Sequence, residues 1–278
     1  MIQVVTDTTA VVSREDIAKY NLIVIPQIIN IDEETFLEGI EIDVPQFLAK
    51  LKTAKTLPKT AAPPPELFAK EFAQFNDKNT TILCIHPSSE VSGTVRSATL
   101  AAQDFPHLDI RVIDTRLIAS PLATLVLLAA QWAESGVPAD EIVARIYEMI
   151  PRCHIFFMVD TLEYLAKGGR IGGAAALLGS VLQIKPILTF RDGRVEAFEK
   201  ERTHKRAFER MVTLTLERID QGKECYLTVM HAGVEEQAHE LTHRLSTELS
   251  IPNIPIYEMP PAIITHAGPG IIGVAFFA

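Results

Sequence analysis

Short, continuous apolar runs separated by amphipathic segments dominate the first half of the chain. IQVVT (2–6), TILCIH (81–86), RVID (111–114) and HIFFMV (154–159) lack the alternation of a half-buried strand. They predict strands buried on both faces, as in a parallel sheet. LIVIPQIIN (22–30) reads as one more β segment, whose Pro26 suggests an edge or a bulge. Helical periodicity places helices near 15–20, 45–54, 94–103, 122–134 and 139–150. Ser13 and Asp16 have cap spacing for the first of these. Strand–helix repetition with short loops implies a Rossmann-like parallel sheet with helices on both faces.

The rhythm changes after about residue 160. A short helix over 162–167 stops at Gly168-Gly169, and a small-residue helix over 174–182 follows. The segment 187–200 predicts a hairpin, with Asp192-Gly193 between two strand-like runs. Helices over 203–219 and 235–249 and strands over 225–232, 254–259 and 271–278 complete the pattern. A hairpin among helices suggests a mixed or antiparallel sheet. The expected protein is therefore α/β in two domains, 1–159 and 160–278, the first with a parallel sheet and the second with a mixed one.

The 278 residues exceed the usual size of one domain, which supports that division. A hydrophobic content of 47% against 22% charged excludes global disorder. The formal charge of −9 argues against nucleic acid as a partner but leaves small anions open as ligands. Three scattered cysteines, Cys84, Cys153 and Cys225, show no metal-ligand spacing and read as reduced thiols of a cytoplasmic protein. No leader is expected, because the chain opens on a strand and a turn. The uncharged stretch 117–133 and the Gly- and Pro-broken stretch from 260 both fall short of a membrane span.

Ligands of open parallel sheets bind beyond the carboxyl ends of the strands. That rule selects Asp7-Thr8-Thr9, the loop His86 to Thr94, and Asp114-Thr115. In the second, a strand enters a Ser-rich loop, Gly93 permits close backbone approach, and a helix starts near Thr94. Ser92 either caps that helix or joins Thr94 and the free N–H groups in holding a carboxylate or phosphate. Dinucleotide, Walker, HExxH and GxSxG patterns are absent. Asp7 and Asp114 read as turn-capping residues that could also meet in space, and no metal site is expected. His266 lies in ITHAGPGIIG between apolar runs, either packed and hydrogen-bonded or offering an N–H to an anion.

Several segments together resemble the DegV family of bacterial fatty-acid-binding proteins: VTDTTA (5–10), SSEVSGTVRSA (88–98), VIDT (112–115), DTLEYLAKGGRIG (160–172) with LQIKPIL (182–188), and HAGPGIIGVAF (266–276). The matches run in order over the whole length. The resemblance implies two α/β domains with a long-chain fatty acid between them, its tail in an apolar tunnel. It implies a carboxylate held by Thr60, Ser92 with Gly93 and Thr94, and His266. The family's T-S-Q-P loop aligns with Thr60-Ala61-Ala62-Pro63, so two polar side chains are replaced by alanine here. Arg202, Lys167 and Arg170 fall where the pocket or a partner would be faced, although Lys167 and Arg170 could equally neutralise a helix end.

The implied role is that of the non-catalytic, acyl-binding subunit of a bacterial fatty acid kinase. The implied partners are the fatty acid, an ATP-binding kinase subunit and, transiently, a membrane, with no cofactor. Two other readings compete. One is an acyl ester or thioester hydrolase with Ser92 as nucleophile and His266 as base; the other is a lipid carrier or store without a kinase partner.

Overall fold

The computed structural model describes residues 1–76, 79–178, 184–220 and 222–278. The chain divides into two units, Met1–Pro151 and Arg152–Ala278. The first contains β1 (Ile2–Asp7), α1 (Arg14–Lys19), β2 (Ile23–Ile25), β3 (Ile28–Ile31), β4 (Glu34–Leu37), α2 (Val44–Leu51), β5 (Lys59–Ala61), α3 (Pro65–Phe72), β6 (Thr81–His86), α4 (Thr94–Ala102), β7 (Asp109–Asp114), α5 (Ser120–Glu134) and α6 (Ala139–Met149). The second contains β8 (Cys153–Met158), α7 (Glu163–Lys167), β9 (Lys185–Arg191), β10 (Arg194–Glu201), α8 (His204–Arg218), β11 (Thr228–His231), α9 (Glu235–Leu249), β12 (Ile256–Glu258), α10 (Pro261–Ala267) and β13 (Ile272–Phe277).

The apolar runs of the first unit pair as expected into an all-parallel sheet of order β2-β1-β6-β7. Phe68 and Phe72 of α3 and Ala98 and Ala101 of α4 bury one face against Val5, Ile82 and Cys84. The apolar α5 packs on β1 and β6 with Leu122, Leu125, Val126 and Ala129 fully buried. Such two-sided cover is why these strands show no polar alternation. Local signals start the helices. Ser13 accepts from the Asp16 N–H, and Asp43 forms a reciprocal capping box with Gln46 ahead of α2.

The segment 22–30 is two strands rather than one. Pro26-Gln27 breaks it, sending β2 to the parallel sheet and β3 to a separate antiparallel sheet of order β4-β3-β5. Neither β4 (ETFL) nor β5 (KTA) carries an apolar run, so this small sheet left no periodic trace.

In the second unit the sheet order is β10-β9-β8-β13-β11-β12, antiparallel throughout except for the β11–β12 pair. HIFFMV therefore belongs to this mixed sheet and not to the parallel one. A continuous apolar run reports burial on both faces but not the direction of its neighbours. Asp192 and Gly193 both take positive φ, 50° and 80°, which is the two-residue turn that joins β9 to β10. Helices α8 and α9 bury Phe208, Met211, Leu241 and Leu245 against Phe156, Ile187, Val229 and Val274. The expected helix over 174–182 is instead a 3-10 segment, Gly172–Leu177, in its described part; 179–182, including Leu182 of the LQIKPIL motif, lies outside the described residues.

Candidate functional site

At the carboxyl ends of β1, β6 and β7 three loops are tied together by main-chain bonds. Ser88 N–H donates to Leu117 O at 2.8 Å, Ala119 N–H to Thr9 O at 3.1 Å, and Thr115 N–H to His86 O at 3.2 Å. The Ser92 loop thus rests on a fixed platform. Gly93, not Ser92, is the cap residue of α4, and Ser92 Oγ accepts only a long bond, 3.3 Å, from Thr94 N–H. The capping reading of Ser92 is set aside accordingly. Its hydroxyl pairs instead with Thr94 Oγ1 at 2.8 Å.

β5 carries Thr60, paired in register with Ile29 of β3. A Cβ on Gly93 would lie 3.2 Å from Ala62 Cβ, so Ala62 sits against Gly93. The small sheet missed by periodicity carries Thr60 two residues ahead of that contact. Behind the hydroxyls lies a buried polar group. Asp7 Oδ1 accepts from Thr9 N–H, Thr9 Oγ1 and Gln27 Nε2, at 2.9, 2.6 and 3.1 Å, and Oδ2 meets His86 Nδ1 at 3.1 Å. Gln27 Nε2 also reaches Thr94 Oγ1 at 2.9 Å. Asp114 is committed elsewhere, to Ser89 and the Arg116 N–H. No three His, Cys, Asp or Glu side chains gather into a metal-holding group among the described residues. Sequence reasoning missed Gln27, and it selected His86 only as the start of its loop and not as the partner of Asp7. The signal for His86 was its place at the end of β6, beside β1 whose end holds Asp7.

In the second unit His266 lies in the last turn of α10, which Gly268 terminates. The Gly168-Gly169 turn packs on its ring, for a Cβ on Gly168 would lie 2.5 Å from His266 Nδ1. Arg170 donates to Gly168 O at 2.8 Å from the same turn. Burial, with the Arg170 cation adding to it, pushes the His266 imidazole down to about 4. The ring is neutral at pH 7. Lys167 pairs with Glu163 one helical turn away and is exposed, and Arg202 is exposed in the turn between β10 and α8. Cys84 and Cys153 have thiol pKa values pushed up by burial, and all three cysteines are free. No helix among the described residues is long and apolar enough to cross a membrane.

A family model described as an uncharacterised protein of the DegV family matches residues 1–278. This chain belongs to the DegV family. A DegV domain-containing protein of Deinococcus radiodurans is 33% identical over 275 residues, covering 99% of this chain and 97% of the relative. Protein DegV of Bacillus subtilis is 32% identical over 278 residues, covering 99% and 98%. Among solved structures, a DegV family protein from Thermus thermophilus described by its fatty acid binding superposes with a TM-score of 0.91. It shares 31% identity and covers 100% of this chain and 99% of its own. The structure of Bacillus subtilis DegV, described as a fatty acid binding protein, gives 0.89 at 32% identity with the same coverage. The DegV fold, with its parallel four-stranded and mixed six-stranded sheets, is thus shared along the full chain.

Proposed function

We propose that this protein binds a long-chain fatty acid. Within the first unit Thr60, Ser92 and Thr94 offer hydroxyls to a carboxylate, and within the second His266 offers an imidazole N–H to an anion. The observation that carries this reading is the Ser92–Thr94 hydroxyl pair, 2.8 Å apart on a loop fixed by main-chain bonds at the carboxyl end of β6. Hydroxyl donors and a neutral imidazole both suit an ionised carboxylate, which only accepts hydrogen bonds. The two DegV relatives of known structure described as fatty acid binders support the ligand class. Each buried CH₂ contributes about 0.8 kcal/mol, so a long tail supplies over ~10 kcal/mol before ordering costs.

The resemblance extends the proposal to a non-catalytic subunit role. A separate ATP-binding kinase subunit would transfer phosphate to the exposed carboxylate oxygen, which bonds to the γ-phosphorus as ADP leaves. Hydrolysis is the weaker reading. The Ser92 hydroxyl pairs with Thr94, which is no base, and an imidazole titrating near 4 is a poor general base at neutral pH.

Native mass spectrometry with extraction and identification of bound lipid tests the ligand class. Ser92→Ala and His266→Ala should each weaken fatty acid affinity by about 10- to 100-fold, the worth of a hydrogen bond to a charged group, with the fold retained. Unchanged affinity in both variants would refute the head-group assignment. Arg170→Glu reverses the charge beside His266 and should lower acid affinity. A loss of acyl-phosphate formation beyond that lowering, with the kinase subunit added, marks a docking role for Arg170; an equal loss confines it to the pocket. A kinase subunit that fails to bind the protein in a pull-down would leave a carrier or store.

A further inference from the structure

The buried group behind Ser92 has a direction. An Asp carboxylate only accepts hydrogen bonds, so the Gln27 side chain must turn its NH₂ toward Asp7. That NH₂ has two hydrogens, and the geometry uses both: one goes to Asp7 Oδ1 at 3.1 Å and the other to Thr94 Oγ1 at 2.9 Å. Thr94 is fully buried and its hydroxyl has two partners among the described residues, Gln27 Nε2 and Ser92 Oγ. Gln27 has no hydrogen-bond acceptor to offer through Nε2, so the Thr94 proton goes to Ser92 Oγ, because any other arrangement leaves a buried O–H unmade. Ser92 Oγ then accepts from both the hydroxyl and the N–H of Thr94. Its own single proton is left to donate outward from a half-buried position.

We infer that Gln27, anchored by Asp7, is a positioning residue that fixes the Ser92 hydroxyl as a donor and so sets the first unit's site to receive an acceptor-only head group. The inference rests on the fatty-acid reading above and deepens it. An ionised carboxylate is the head group that such a donor satisfies without leaving a second polar hydrogen unpaired. His86, at the far side of Asp7, helps to hold the anchor, as does Thr9 with its two bonds to Oδ1. Gln27 and Thr94 lie far apart in sequence, which is why no motif contains both.

The test is palmitate affinity at pH 7.5 for the full chain and for Gln27→Glu, Gln27→Met, Ser92→Ala and the two double variants. In Gln27→Glu the introduced carboxylate accepts the Thr94 proton, Ser92 donates inward to Thr94, and no outward donor remains. Affinity should fall about 10- to 100-fold, as in Ser92→Ala. Gln27→Met frees the hydroxyl pair to point either way and should cost a smaller factor, about 3-fold, because roughly half of the pairs still present a donor outward and the freed pair must be re-ordered. Neither change should weaken binding further once Ser92 is alanine, a non-additivity that a merely structural residue would not show. Far-ultraviolet circular dichroism checks the fold; should Gln27→Glu fail it, Gln27→Met in the two backgrounds decides. Equal losses with and without Ser92, or no loss in a folded Gln27→Glu, would overturn the inference while leaving fatty acid binding intact. A Ser92→Ala variant that binds palmitate normally would remove the head-group assignment and the inference together.

Discussion

Gly268→Ala should destabilise the second unit by about 4 kcal/mol and remove fatty acid affinity with it. Gly268 holds φ 82° and ψ 167°, a region essentially closed to residues with a side chain, at a cost of about 1–3 kcal/mol. The added Cβ would also lie 2.6 Å from Tyr164 Cδ2, and overpacking of that kind costs about 1–3 kcal/mol more. Tyr164 belongs to α7, whose end forms the Gly168 turn against His266, so any shift that relieves the clash moves the imidazole. Gly136→Ala is the control. It has positive φ, 79°, but nothing within 4 Å of the new Cβ, and should cost about 1 kcal/mol. Urea unfolding of both variants reads the difference. Equal losses would show that the packing around His266 yields freely and contributes nothing to its placement.

The second large effect is a loss of stability between pH 6.5 and pH 4. The imidazole of His266 titrates near 6.5 when unfolded and near 4 when folded. Below 6.5 the unfolded chain takes up a proton that the folded chain refuses, so stability is full above that pH and declines until the folded ring also protonates. The shift corresponds to about 2–3 kcal/mol over the window. His154 and His231 are lowered by burial too and steepen the same slope. Carboxylates held low by arginines, Asp109 beside Arg111, Glu199 beside Arg210 and Glu209 beside Arg244, lose their contribution only as pH falls below about 4. The windows are therefore separable. Denaturation midpoints measured from pH 7.5 to 4 should fall less steeply in His266→Gln than in the parent chain. Parallel curves would mean that His266 keeps an ordinary pKa in the folded protein and is not the neutral donor proposed for the anion. Bound fatty acid should flatten the parent curve as well, because a carboxylate raises the imidazole pKa toward its unfolded value.

What the sequence made legible follows the range of the interactions involved. The strands β1, β6 and β7 and the Asp192-Gly193 hairpin are written locally, in unbroken apolar runs and in a dipeptide suited to positive φ. The Gly-rich segment around His266 was visible for the same reason. The small sheet of β3, β4 and β5 was not, because strands of three or four residues without an apolar run have no period to detect. Pro26 reads as an edge or a bulge; β2 is indeed the edge strand of the parallel sheet, but the break after it stays hidden because the apolar residues on both sides obey the same pattern. The placement of β8 failed because burial on both faces is common to central strands of either direction. Ser92, Thr94 and His266 stand out from the loop chemistry and the flanking glycines, and the motif resemblance adds the carboxylate role; Gln27 escapes because its role exists only after β1, β3 and α4 have been assembled.

The pairing of β8 with β13 carries a cost during synthesis. These two strands, the first and last of the second unit, lie side by side in the middle of its sheet. The parallel sheet of the first unit has all its strands once Asp114 has left the ribosome. The second unit cannot close until Phe277 has, and until then the apolar Phe156, Phe157 and Met158 lack the neighbour that covers them. Contacts between segments so distant along the chain form slowly, and an open apolar strand invites pairing with other chains in the interval. The nascent second half is thus the stretch for which a cell must supply protection.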